Sequence, residues 1–282
     1  MKLLRVGANG AEKPAILDEN GEIRDLSYIV EDISGAHLSK ESLTKLTELD
    51  LSTLPLIDED TRIGACVGNV GKFVCIGLNY ADHAEEANMP IPQEPIVFNK
   101  WTSAICGPND DIVKPSSSTK MDWEVELGIV IGADAKNVSE SDALDHVAGY
   151  CLINDVSERN FQLEISGGQW DKGKGCDTFG PTGPWLVTKD EVGDVLDLDM
   201  NLSVNGRTFQ NGNTKTMIFK PAFLVAYLSK FMTLNAGDII STGTPPGVGM
   251  GQSPEVFLNV GDKISLSIQA LGSQTQTIVA EV

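Results

Sequence analysis

The hydrophobic and polar positions of this 282-residue chain change character near residue 70. Before that point Leu3 to Val6 reads as a strand, Asp18-Glu19-Asn20-Gly21 as the turn of a hairpin, and the charge-mixed stretch from Ser39 to Leu49 as a helix. From Lys72 onward short apolar runs recur at 73–78, 95–99, 124–131, 150–154, 184–188, 201–204, 238–242 and 263–268, punctuated by Gly, Pro, Asn and Asp. That spacing predicts strands joined by turns, and Asn205-Gly206 between two such runs marks a tight hairpin. Two helices are expected in this larger part. Ser139 to Val147 would be capped by Ser139 and stopped at Gly149. The other would open at Pro221 and run through Phe223, Leu224, Tyr227, Leu228 and Phe231, with its aromatic stripe turned into the core. The expectation is a mostly β chain with some α (α+β), divided into a small N-terminal domain (1–70) and a larger domain (71–282). The phrases Asn235-Ala236-Gly237-Asp238 and Asn259-Val260-Gly261-Asp262 echo each other, which is too little to make a repeat.

One strand carries an anomaly. In Asp122-Trp123-Glu124-Val125-Glu126-Leu127-Gly128-Ile129-Val130-Ile131 two carboxylates stand two residues apart inside an apolar run. A strand has a side-chain period of two, so Glu124 and Glu126 share one face while Trp123, Val125 and Leu127 fill the other. Charge in such a place needs compensation, and a bound cation supplies it. A further carboxylate, Asp155, follows the apolar run Tyr150-Cys151-Leu152-Ile153 at a strand tip. Three carboxylates without clustered Cys or His favour Mg²⁺, Mn²⁺ or Ca²⁺ over Zn²⁺. The competing account is chance, because 40 acidic residues produce same-face pairs unaided. Spacing alone leaves both open.

Composition narrows the class. A formal charge of −19 with no basic stripe argues against nucleic acid and anionic membrane surfaces. The same field repels an anionic ligand at long range, so any such ligand must be held by a metal or a few placed cations. The start Met1-Lys2-Leu3-Leu4-Arg5 has too short an apolar stretch for a signal peptide, and no later run suits a membrane-spanning helix, so a cytoplasmic location is the default expectation. Five cysteines without a CxxC pair fit reduced core residues, Cys176 alone lying in a polar loop. Gly247-Val248-Gly249-Met250-Gly251 and Gly173-Lys174-Gly175 lack the context of phosphate loops.

Three histidines leave few candidates for acid–base work. His146 reads as structural. In Gly77-Leu78-Asn79-Tyr80-Ala81-Asp82-His83-Ala84-Glu85-Glu86 a helical turn starting near Asp82 sets His83 and Glu86 three apart and facing each other. Such a pair can activate water. On spacing alone, a solvated helix start capped by Asp82 is the simpler account.

Taken together, the motifs resemble a known family. Lys72-Phe73-Val74-Cys75-Ile76-Gly77-Leu78-Asn79-Tyr80-Ala81-Asp82-His83 is similar to the opening signature of the fumarylacetoacetate hydrolase catalytic domain. The resemblance continues, in the family's order, through Glu124 and Glu126, Asn154-Asp155-Val156-Ser157-Glu158-Arg159, Gln169-Trp170-Asp171-Lys172-Gly173-Lys174 and Ser241-Thr242-Gly243-Thr244-Pro245-Pro246-Gly247-Val248-Gly249. It implies a mixed β-sandwich-like roll behind a small N-terminal domain, assembled as a homodimer or higher homo-oligomer. It implies a Mg²⁺ or Mn²⁺ site at Glu124, Glu126 and Asp155, and a His83–Glu86 water-activating pair on a segment that closes as a lid. Lys174 is implied to stabilise an oxyanion or enolate, with Arg159, Gln162 and Thr244 near the substrate. Animal members carry a further Asp ligand in the segment that here reads Gly77-Leu78-Asn79-Tyr80, and many members have Ser-Phe where this chain has Gly175-Cys176. The N-terminus and the Lys174–Pro181 run look more like a bacterial branch acting on sugar-derived 2,4-diketo-3-deoxy acids, such as those from rhamnonate or fuconate.

The reaction this implies is hydrolysis of the C3–C4 bond of a small anionic diketo acid to pyruvate and a hydroxy acid such as lactate. Rival readings are decarboxylation or keto–enol tautomerisation of a β-keto acid of the oxaloacetate type, a ureidoglycolate lyase, and, in a different class, a non-catalytic acidic metal- or sugar-binding protein.

Overall fold

The computed structural model describes residues 1–86 and 90–281. A nine-stranded sheet takes the order Ile23–Asp25, Lys13–Leu17, Lys2–Val6, Leu186–Thr188, Val147–Asn154, Val125–Ile131, Ile239–Ser241, Phe73–Gly77, Ile96–Lys100. Its neighbours are antiparallel except for Ile239–Ser241 beside Phe73–Gly77. A five-stranded sheet takes the order Arg207–Asn213, Asp199–Val204, Lys263–Ile268, Gly272–Ala280, Ile112–Lys114. The protein is the mainly β, α+β molecule that the run spacing predicts.

Side-chain alternation in the large sheet divides the apolar residues between two cores. Val74, Ile76, Val125, Leu127 and Ile129 pack with Met200, Leu202, Ile264 and Leu266 of the second sheet. Phe73, Cys75, Val130, Cys151 and Ile153 face the other way, onto Leu3, Ile16, Leu26, Leu38 and Leu46. The first seventy residues thus cover one face of the sheet. They also extend it, since Leu3 pairs with Leu186.

Local signals explain most of the punctuation. Asp18 Oδ1 accepts from the backbone N–H groups of Asn20 and Glu22, and Gly21 takes φ +81°, closing the first hairpin. Asn205 and Gly206 both have positive φ, as a two-residue hairpin turn with the twist of its strands requires. Ser39 caps the helix Lys40–Thr47 by accepting from Ser42 N. The two echoing phrases form the same turn: Asp238 and Asp262 each donate a backbone N–H to, and accept one through the carboxylate from, the Asn three residues earlier.

Three expectations are corrected. Ser139 to Val147 is not a helix; only Ala143–His146 makes a 3₁₀ turn, and Val147 already belongs to the strand running to Asn154. Sheet pairing with Val125–Ile131 outweighs the weak helical pattern. Gly149 is no helix stop, for it lies where a Cβ would come within 2.1 Å of Val187 O in the adjacent strand. The helix Pro221–Phe231 forms with Pro at its first turn and buries Leu224 and Leu228, but its aromatic stripe is only partly turned into the core: Tyr227 is half-buried against it, whereas Phe231 lies outside. Phe219, Phe223, Tyr227 and Phe231 make a ladder with centroids 5.0–5.8 Å apart, and Phe231 is 64% exposed. The strand Gly272–Ala280 escapes the pattern because its inward positions include Gln274 and Gln276, which donate to Leu152 O, Gly183 O and Pro108 O. Among the described residues no helix is long and apolar enough to cross a membrane.

Gly149→Ala pushes the strands apart at the centre of the sheet. The expected loss is at least ~2 kcal/mol, as for overpacking in a filled interior, read as a lower urea midpoint with an unchanged slope.

Candidate active site

The anomalous strand ends where its carboxylates can meet. Antiparallel pairing sets Ile153 opposite Glu126 and Asn154 opposite Val125, so the next residue, Asp155, falls beside Glu124 and donates its N–H to Glu124 O over 2.9 Å. Trp123, Val125 and Leu127 fill the opposite face, as the period of two requires. One carboxylate oxygen from each of Glu124, Glu126 and Asp155 lies within 4.8 Å of the others, and all three residues are buried.

Three buried cations answer these charges. Lys174 Nζ lies 2.8 Å from Glu124 Oε2 and 2.7 Å from Asp155 Oδ2. Lys100 Nζ lies 2.5 Å from Asp155 Oδ1 and donates to Val156 O. Arg159 binds Asp122 through Nε and sets Nη2 2.7 Å from Glu124 Oε1. That Nη2 contact lacks hydrogen-bond alignment, so the buried nitrogen keeps donor capacity for another acceptor. Burial pushes the Glu124 carboxyl up, but the Lys174 ammonium and the Arg159 guanidinium overcome this and hold it at about 2. Glu126 has no such partner. Its Oε2 accepts from Ser241 Oγ and Gly243 N, while burial, reinforced by Asp155 and Glu124, drives its carboxyl well above the usual range. Burial opposes the charge on Lys174, yet Asp155 and Glu124 raise its ammonium above the ordinary lysine value.

Tight packing delivers the cations. Lys174 ends the short helix Asp171–Lys174, where a Cβ on Gly173 would meet Glu158 O at 2.4 Å and Gln162 N at 2.5 Å. A single π-helical turn, Asn160–Glu164, follows Arg159 and brings Gln162 round so that its Oε1 accepts from Arg159 Nη1. Asp122 also accepts from Gly249 N and Met250 N, which ties the glycine loop to the same network.

A cavity of about 470 Å³ opens on this cluster. Its lining includes Glu124, Glu126, Arg159, Gln162, Lys174 and Thr244, together with His83 and Glu86. His83 Nδ1 is 3.0 Å from Glu86 Oε2, and Glu86 in turn accepts from Gly247 N. The helix Ala81–Glu86 is thus more than a solvated start, because its carboxylate is bonded across to a loop 161 positions away. Thr244 Oγ1 donates to Val125 O and accepts from Gln210 Nε2, which leaves little of the hydroxyl for a ligand. Asp155 lies behind Lys174 and Lys100, at the floor.

Comparison with known proteins agrees with this arrangement. A model of the fumarylacetoacetate (FAA) hydrolase C-terminal domain matches residues 72–279, more than half of the chain. The chain belongs to the fumarylacetoacetate hydrolase family. It is 63% identical over 278 residues to a Burkholderia ambifaria protein provisionally named a hydrolase, covering 98% of both. Among solved structures it is similar to a fumarylacetoacetate hydrolase from Exiguobacterium antarcticum (33% identity, TM-score 0.87). It is also similar to a maleylpyruvate hydrolase from Sphingobium sp. SYK-6 solved with manganese(II) and pyruvate (29%, TM-score 0.83). Each match covers all of both chains.

Within this family fold the site has its own features. The Asn79 side chain is spent on Phe219 N, Phe219 O and Thr242 O. The three clustered carboxylates are hard oxygen donors, and one of them lacks a cationic partner, which fits a divalent ion. Cys176 is half-buried with its thiol pushed up by burial, the reverse of a reactive thiolate. The sequence reading missed Lys100, Asp122 and Ser241. Lys100 closes the apolar run 95–99, and a lone lysine at a strand end ordinarily reaches solvent; only the structure shows its side chain fully enclosed.

Lys100→Met leaves Asp155 with one cation instead of two. The variant is expected to lose ~3 kcal/mol, the scale for breaking a buried ion pair from one side, in chemical denaturation of the metal-free protein.

Proposed function

We propose that this enzyme hydrolyses the C3–C4 bond of a sugar-derived 2,4-diketo-3-deoxy acid, such as 2,4-diketo-3-deoxy-L-rhamnonate or L-fuconate, releasing pyruvate and a hydroxy acid such as lactate. The observation carrying this reading is that the His83–Glu86 pair lines the same cavity as Glu124, Glu126, Lys174 and Arg159, with Asp155 paired to Lys174 directly behind them. A carboxylate site alone could serve decarboxylation or tautomerisation; an imidazole backed by a carboxylate adds the means to make hydroxide. The similarity to a maleylpyruvate hydrolase solved with manganese(II) and pyruvate supports both the metal and the pyruvate half of the substrate.

Glu124, Glu126 and Asp155 are the proposed holders of Mg²⁺ or Mn²⁺. When bound, the ion supplies Lewis-acid polarisation of the substrate's 2-keto group. The remaining steps fall to side chains. Arg159, with spare donor capacity on Nη2, orients the 1-carboxylate, and Gln162 fixes Arg159 through Nη1. His83, held by Glu86, takes a proton from water as its oxygen bonds to C4. The C3–C4 bond then breaks and its electron pair becomes the enolate of pyruvate. Lys174 stabilises the developing negative charge, and the proton held on His83 passes to C3 to give pyruvate.

Incubation with Mg²⁺ and a panel of C5–C7 2,4-diketo acids is expected to show loss of diketone absorbance matched by pyruvate; no turnover of any member would remove the hydrolase reading. His83→Gln is expected to lower kcat by ~10²–10⁴-fold, the worth of a general base, with little change in KM. Glu126→Gln is expected to abolish Mg²⁺ binding in calorimetry while the far-ultraviolet dichroism spectrum stays the same. A carboxyl raised above its ordinary value holds its proton toward neutral pH and must release it to bind an ion. Metal binding to the native protein is therefore expected to expel protons and to tighten as pH rises, which calorimetry in buffers of different ionisation enthalpy measures.

A further inference from the structure

The cavity selects the charge of the part of the substrate that leaves with C4. Its lining contains two lysine or arginine cations, Arg159 and Lys174; both are paired with the buried carboxylates, and the spare donor on Arg159 Nη2 is taken by the substrate's 1-carboxylate in the reading above. Ile76, Leu78, Phe98, Leu163, Trp170, Val248 and Met250 supply its apolar wall, and the polar lining residues His83, Gln162 and Thr244 are already bonded to Glu86, to Arg159, and to Val125 O and Gln210. The charge on Glu86, which faces the same space, is of the wrong sign for a second anion. Neither neighbouring segment can supply a cation. No Lys or Arg occurs between Lys72 and Lys100, a stretch that holds the helix Ala81–Glu86, or between Lys230 and Lys263, which holds the glycine loop.

The charge count agrees. Asp122, Glu124, Glu126 and Asp155 face Lys100, Arg159 and Lys174, so the network carries one surplus negative charge with all carboxylates ionised. A divalent ion converts this to one surplus positive charge. That matches a single substrate carboxylate and leaves nothing for another.

We infer that the site is specific for acylpyruvates whose acyl tail is uncharged and excludes dicarboxylates such as maleylpyruvate or succinylpyruvate, a selection made by a Leu78, Leu163 and Met250 wall along which the described lining residues offer no Lys or Arg other than Arg159 and Lys174. The inference rests on the acylpyruvate reading above and adds the class of tail. Burying a carboxylate against apolar side chains without a partner carries a large penalty, whereas a methyl group in its place gains from the same wall.

The test uses a matched pair, 2,4-dioxoheptanoate and 2,4-dioxoheptanedioate, which differ only in a terminal methyl against a terminal carboxylate. With Mg²⁺ present, kcat/KM is expected to favour the monoacid by about 100-fold or more, the scale of an unmatched buried charge. Leu163→Arg, at a position 41% exposed on the cavity wall, is expected to raise activity on the diacid by at least about tenfold, the effect of one charge-assisted hydrogen bond. Met250→Lys serves as a second variant should the first fail to fold. Equal kcat/KM for the two acids in the native protein would overturn the inference. Failure to turn over either acid would count against the hydrolase reading instead; the ratio of their dissociation constants in Mg²⁺, measured by calorimetry, would then decide the tail preference, a ratio near one overturning it.

Discussion

The burial of carboxylates at the end of a central strand is the constraint on which the rest of this structure depends. Glu124 and Glu126 sit on an antiparallel strand whose other face is fully apolar, so the strand cannot rotate or slip to free them without exposing Trp123, Val125 and Leu127. The protein must therefore bring compensation to the charges. Lys174 arrives on a helix seated against Glu158 through Gly173, Arg159 just ahead of a π-helical turn, and Lys100 from the edge strand. These elements have no sequence proximity in common. What unites them is the carboxylate cluster that each one helps to neutralise.

Such a cluster is a poor contributor to stability and a good one to binding. Desolvating several ions costs more than their mutual attraction readily returns, and a smaller apolar core would serve folding better. The arrangement makes sense as preorganisation: the dipoles and charges of the site are fixed before any ligand arrives, so little reorganisation remains to be done once it is bound. Glu126 is the telling member. Its neighbours are a hydroxyl and a backbone N–H instead of a cation, and that incompleteness is what a divalent ion would fill.

Much of this was legible from residue order. The period of two across Asp122–Ile131 identified which face holds the acids, and the apolar run ending at Asn154 pointed to Asp155, because strand periodicity is dictated locally. The His83–Glu86 contact follows from helical spacing alone, and the Asn-Gly turn from backbone sterics at two residues. What resisted reading was determined by tertiary contact. Gly149 looks like a helix terminator until a neighbouring strand is seen against it, and Gln274 and Gln276 look solvent-facing until carbonyls appear within reach of their amides. Lys100 belongs to the same class, as its importance lies in a partner 55 positions away. The aromatic ladder from Phe219 to Phe231 is an intermediate case, in which amphipathic spacing identifies a stripe without saying how far along it the core extends.

Glu86 joins two parts of the chain that otherwise have no covalent reason to move together. It holds His83 on its own helix and accepts from Gly247 on the glycine loop, while Asp122 ties Gly249 and Met250 of that loop to Arg159. Helix and glycine loop are thus cross-braced through one carboxylate, in the manner of a strut: the placement of the imidazole ring and that of the loop backbone are set by the same side chain.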